Sequence, residues 1–392
     1  MIARIKSRMR EILNKSTQFL IKNERLRKKL VILFYNINPI FEKKAEFRSI
    51  EDYLFNYKKV TKNKKHICKE EYRANAYYGI AKCFKDYSGY EGKIEACIEH
   101  GVYFGDYIND RECIESGFPA VFTFGCARVE HLRKKSEKLL FAVGPYISYA
   151  HNLISDEEIL SIKKKFGKTL LVFPTHSVDR VLVEMNSNQL IGKIENFKED
   201  HSFQTVLVCL YYRDIEVERD KDYINAGYKV VTAGRREDKD FLNRLHTFFS
   251  ISDYSISNNV GTHIGYSIAL KVPHTILSEE VKYNTASKVD EKDVTTLHNP
   301  SAVLEKRLVR EVFEKHSDYI TQGQIRICER FWGLNLVRQP LELKYMLELT
   351  NDIFKKCHKK EKNFSGYVKS ISAIGGDMNY LIQQAINGVK DI

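Results

Sequence analysis

Eight short apolar runs, each closed by glycine or polar residues, recur between 93 and 277 and constrain the fold more than any other feature. They are KIEACIEHG (93–101), PAVFTFG (119–125), KLLFAVGPYISYA (138–150), KTLLVFPTHS (168–177), FQTVLVCLYY (203–212), YKVVTAGRRED (228–238), DYSISNN (253–259) and PHTIL (273–277). Runs of this length rich in β-branched residues predict strands. Between them lie stretches with helical spacing: ANAYYGIAKCFKDYSG (74–89), ARVEHLRKKSEK behind the second run, and 156–165. Strands alternating with helices demand parallel pairing through crossover helices. The expected class is therefore α/β, with Rossmann-like sheets. The pattern restarts after the Gly144-Pro145 break, which predicts two such units.

The 392 residues suffice for two cores. The expected division is 1–75, a basic helical N-terminal segment; 76–155, a first Rossmann-like domain; 156–330, a second; and 331–392, helices broken near Pro340 that cross back to the first. Cysteines 68, 83, 97, 113, 126, 209, 328 and 357 form no CxxC pair, which reads as reduced thiols rather than a zinc or disulfide frame.

A net charge of +12 implies an anionic partner. The first 29 residues hold ten Lys or Arg against Glu11 and Glu24, with Ile5, Met9, Ile12 and Leu13 at helical spacing. Such a helix either lies on an anionic membrane surface or packs on its own domain. It lacks the apolar core of a signal peptide or spanning helix. The basic stretches also lack the aromatic interleaving of a nucleic-acid platform, so no nucleic acid is expected.

In an open parallel sheet, ligands bind beyond the carboxyl ends of the strands. Those positions are Glu99, His100 and Gly101; Thr175, His176 and Ser177; Gly234, Arg235 and Arg236; and Asn258 to Gly265. At Gly261-Thr262 a helix is expected to begin, with free first-turn N–H groups and the positive end of its dipole, suited to a phosphate. Ordinary N-capping by Asn or Thr is the competing account. Asn258, Asn259 and His263 line the same turn, and Gly265 would let the helix pack closely on the sheet. Arg235 and Arg236 offer two-pronged phosphate donors, although Glu237 and Asp238 would neutralise one of them as a surface pair. His100 is a candidate general base, with Asp106 the alternative and Glu99 an orienting partner only if a bend brings it round. A structural histidine at a strand end is the plainer account. Asp220-Lys-Asp222 matches a DxD metal motif by letters, but its surroundings read as a charged loop. No GxGxxG, GxxxxGK[ST] or GxSxG occurs.

Taken in order, the EHG turn, Gly144-Pro145-Tyr146, FPTHS and SDYSISNNVGTHIGYSIALKVPHTIL (252–277) resemble GT-B glycosyltransferases. Within these the pattern is most similar to the bacterial enzymes that build capsule, O-antigen or teichoic-acid-type polymers. The resemblance covers about residues 75–350. It implies two Rossmann-like domains facing each other across a cleft. The second would hold a nucleotide-sugar donor through Thr175, His176, Ser177, Gly234, Arg235, Asn258, Asn259, Gly261, Thr262 and His263. The first would hold a glycan or lipid-linked acceptor and the base, His100. It further implies a metal-independent enzyme with no cofactor besides its donor, in the cytoplasm or on the inner face of the plasma membrane through residues 1–30. Two departures stand: the first half is short of strands, and no E-x7-E motif is evident. Sugar-nucleotide epimerases and pyruvyl transferases share the architecture, as would a non-catalytic scaffold.

Overall fold

The computed structural model describes residues 45–360 except Lys65, 178–180 and 286–298, with isolated positions between 26 and 37. The basic segment 1–30 lies almost wholly outside the described residues. Among those described, no helix is long and apolar enough to cross a membrane.

The chain is a mixed α/β protein built on parallel sheets. A first sheet has the order β1 (Cys97–Ile98), β2 (Ala120–Thr123), β3 (Leu139–Ala142), all parallel. A second sheet contains β4 (Thr169–Phe173), β6 (Thr205–Cys209), β7 (Lys229–Val231), β8 (Tyr254–Ser257) and β9 (His274–Ile276). Its order is β7-β6-β4-β8-β9, again all parallel. Every expected strand is present. β2, β4, β8 and β9 are buried along their whole length, which is why they read as unbroken apolar runs. The second sheet starts at its centre, runs outward to β7, then reverses to β8 and β9. This reversal makes the carboxyl ends of β4 and β8 its topological switch point.

A two-stranded antiparallel arm, β5 (Val181–Glu184) with β10 (Lys282–Thr285), was not anticipated. Its strands are short and nearly a hundred residues apart, so neither carries a local hairpin signal. Two further expectations need correction. The stretch 74–89 is not one helix: Tyr77 is extended, Tyr78 has φ +57° and Gly79 φ +74°, so the regular helix begins at Ile80. A side chain at Gly79 would overlap the carbonyl of Lys239. The Asp220-Lys-Asp222 stretch opens a short helix, Asp220–Asn225, and buried Asp220 accepts the hydroxyl of Tyr57 at 2.8 Å.

Helix ends follow their sequence signals. Ser155 and Glu158 form a capping box before Asp156–Phe166, and Thr321 with Gln324 does so before Gln322–Phe331. Pro300 and Pro340 each occupy the first position of a helix. One apolar core runs from Phe122 and Phe141 under the first sheet, through Tyr146, Phe248 and Ile264, to Leu171 in the second. Trp332, fully buried, wedges between Phe104 and Gly265, so the close approach at Gly265 serves the indole rather than the sheet. The final helix, Pro340–Lys360, returns to the first sheet, where Phe354 stacks on Phe118 and the preceding Arg338 donates to the carbonyl of Ala142.

Candidate functional site

At the switch point, Asn258 closes the gap between β4 and β8. Its side-chain oxygen accepts from both the N–H (2.7 Å) and the hydroxyl (2.8 Å) of Thr175. The next residue, Asn259, accepts from Arg310 at 2.9 Å and from the Val260 amide at 2.8 Å, while its NH2 reaches Tyr283. The helix Thr262–Ala269 begins directly after, and its N-cap residue, Gly261, offers no side-chain cap. Neither asparagine caps the helix, so the plain capping account does not describe this turn. The His263 imidazole folds back over Gly261 and stacks on Phe173, 5.0 Å between centroids and 13° from parallel. Burial, then the neighbouring His176, holds the His263 pKa down at about 3, and its Nε2 has no partner.

The loop after β1 comes to this helix start. The Val102 amide donates to the Thr262 hydroxyl at 3.2 Å. Further on, the Gly105 amide donates to Glu305 (2.6 Å) and the Asp106 amide to Ser301 (3.1 Å), at the head of the helix Pro300–Phe313. The loop thus ties the first sheet to two helices of the second. His100 stands at its base, with Tyr77 (5.5 Å) and Tyr103 (6.5 Å) edge-on to its ring. Burial depresses its pKa to about 4, with Glu99 opposing the shift and Arg236 adding to it, and its Nδ1 is unpartnered. The imidazole is therefore neutral at physiological pH.

Other expected residues point elsewhere. Glu99 is 2% exposed and binds Arg128 through its Nε and Nη2 atoms, with Thr123 donating at 2.7 Å. No bend turns it toward His100, because neighbouring strand residues face opposite sides. The Asp106 carboxylate accepts from Asn299 at 2.6 Å and Ser301 at 3.3 Å. Arg235 pairs with Glu216 at 2.8 Å and lies over Tyr212. Arg236 pairs with Glu237 at 3.0 Å, as one of the two arginines was expected to, and sits over Tyr77 and beside His100. Gly234, with φ +110°, makes the turn that presents Arg236. The Ser177 amide is held by Asp214, and the His176 ring lies 4.8 Å from Tyr211.

Several residues here escape sequence reading. Tyr78 adopts a left-handed conformation that costs a non-glycine residue about 1 kcal/mol or more. Its amide meets the Arg236 carbonyl, its ring packs on Phe241, and its hydroxyl bonds Tyr211. Lys306 and Arg310 lie one turn apart on Pro300–Phe313, and the Arg310 Nε is buried without a partner. Burial, then Arg310, pushes the Lys306 pKa down to about 8. Neither forms an ion pair with a carboxylate among the described residues. Two half-buried cations side by side are costly unless an anion joins them. No trio of metal-ligating side chains gathers here among the described residues.

No family model matches the chain, and no curated protein is similar to it by sequence. Among solved structures it is similar to an S. aureus MnaA–UDP co-structure, with a TM-score of 0.29 and 13% identity over 57% of this chain. The match spans 61% of that chain.

Proposed function

We propose that this chain is a nucleotide-sugar-dependent glycosyltransferase of GT-B type. Residues 156–330 hold the donor nucleotide and 76–155 the acceptor, and the helix Pro340–Lys360 crosses back to the first lobe. The observation that carries the reading is the Lys306–Arg310 pair, without carboxylate partners among the described residues, with Arg310 anchored to Asn259 at the switch point. A nucleoside diphosphate supplies the negative charge that such a pair lacks. The uncapped first turn of Thr262–Ala269 adds further N–H donors on the same side.

In this reading His100 takes the proton of an acceptor hydroxyl, and the freed oxygen attacks the anomeric carbon of the donor. The bond from that carbon to the phosphate oxygen breaks, and the departing diphosphate is held by Lys306, Arg310 and the helix start. Arg236, beside His100, discourages protonation of the imidazole before the acceptor arrives. The acceptor is a glycan or lipid-linked saccharide of a growing surface polymer, met at an anionic membrane through residues 1–30.

A thermal-shift screen against UDP-, GDP-, CMP- and CDP-linked sugars tests the donor site, since a ligand of the native state raises Tm by mass action. The expected result is a shift with one nucleotide class, lost in K306M and R310M. Release of free nucleotide only when acceptor glycan is present marks transfer. Release without acceptor, or sugar conversion on the intact nucleotide, overturns it in favour of an epimerase-type reaction.

A further inference from the structure

Arg244, on the helix Phe241–Ser250, is fully buried although it carries a charge. Its Nη1 donates to the carbonyl of Ala233 and, at 3.0 Å, to Oδ2 of Asp238, and its guanidinium lies 4.4 Å from the centre of the Tyr53 ring. Asp238 is enclosed as well, so it turns inward to this cation rather than pairing with a surface arginine. The Nε and Nη2 atoms have no hydrogen-bond partner among the described residues. A buried cation with idle donors is costly and asks for a reason beyond packing.

The two acceptors that Arg244 holds bracket one turn. Within it the Gly234 amide donates to the Thr232 hydroxyl at 3.1 Å, and the Asp238 amide to the Arg235 carbonyl at 2.9 Å. A Cβ at Gly234 would stand 2.8 Å from Oδ2 of Asp238 and 3.0 Å from Nη1 of Arg244, so the turn is wrapped directly on the ion pair. The Arg236 carbonyl of the same turn accepts from the Tyr78 amide at 2.6 Å, where Tyr78 sits at φ +57°. The Arg236 guanidinium lies over Tyr77 and beside His100. The His100 ring is faced by Tyr77, Tyr78 and Tyr103 and by Arg236, while Glu99, on the other side of the strand, acts on it only through its charge. Of these groups Arg236 alone comes from the second lobe, and its turn is the one that Arg244 holds.

We propose that Arg244 is a positioning residue for His100: it grips the turn 233–238 from behind and so keeps Arg236 and the Tyr77–Tyr78 pair against the imidazole. A reacting group is only as well placed as the residues that lock its surroundings. That His100 is a base belongs to the transferase reading, on which this role in the reaction rests; the mechanical coupling from Arg244 to His100 needs no substrate.

The test reads His100 directly in the full chain, by NMR of protein labelled at the imidazole Cε1 of its histidines, with H100Q identifying the signal. In wild type the ring should stay neutral until the pH falls to about 4. In R244Q the turn loses its anchor, Arg236 and the tyrosines draw back, and the midpoint should rise by about one pH unit or more. I194A, a truncation in the core beneath the helix Ser187–Asp200, should lower Tm without moving the midpoint. Should R244Q not fold, G234A carries the test, since its methyl pushes the turn off the same ion pair and should move the midpoint the same way. If the folded variant keeps the wild-type midpoint, or I194A moves it equally, Arg244 is only a structural support and the proposal is wrong. No donor or acceptor is present in this measurement, so either result leaves glycosyl transfer to be judged by the nucleotide screen.

Discussion

The amide of Val102 donates to the hydroxyl of Thr262 at 3.2 Å, joining positions 160 residues apart. Through this bond the loop carrying His100 is fixed against the start of the helix Thr262–Ala269. T262V keeps the volume but strands the amide, which costs about 1–3 kcal/mol. T262S should retain most of that stability. Urea midpoints of the two variants distinguish loss of the bond from loss of the methyl group.

His100 is expected to matter for turnover rather than donor affinity. H100A should lower kcat by about 100-fold or more, with the nucleotide-induced Tm shift unchanged. If affinity and turnover fall together, His100 is a scaffold residue.

Acid should weaken the fold through the same histidine. The unfolded chain takes up the proton near the ordinary value of 6.5, the folded chain only at about 4. Stability from the neutral imidazole is therefore complete above pH 6.5 and is lost as pH falls from 6.5 toward 4. H100Q should lose less stability than wild type over that interval in denaturation at stepped pH. His263, shifted the same way to about 3, supplies a parallel loss that H100Q retains.

Glu99 and His100 should separate cleanly. E99Q leaves the Arg128 guanidinium buried without its countercharge, at a cost of about 3–5 kcal/mol. Its signature is a lowered Tm, whereas H100A changes rate more than stability.

Gly265 tests the packing of the last third of the chain. In G265A the new methyl would overlap the Trp332 indole, and overpacking of this kind costs about 1–3 kcal/mol. Quenching or shift of the emission of Trp332, the single tryptophan, reports the displacement directly.

Lys306 gives donor binding a pH dependence. With its pKa near 8, its charge is present below that value and fades above it. Nucleotide affinity should weaken as pH rises from neutral through 8 to 9, and K306M should flatten the profile.

The strands of the two parallel sheets, their pairing sense and the helix beginning at Thr262 follow from the sequence alone, whereas the antiparallel arm does not. Burial on both faces writes itself as apolar runs, and caps and prolines mark helix ends within a few residues. What the tertiary structure decided is which side chain of each polar strand end faces the site. Arg235 and Arg236 read alike, but consecutive residues leave a backbone in different directions: Arg235 meets Glu216, whereas Arg236 meets Glu237 and lies over Tyr77. Glu99 and His100 part in the same way, the first claimed by Arg128. The Lys306–Arg310 pair was invisible for another reason: on a helix it looks like any solvated charge run. Its meaning comes from burial and from Asn259, some fifty residues earlier. Local patterning records how a segment is covered; long-range approach determines what it touches.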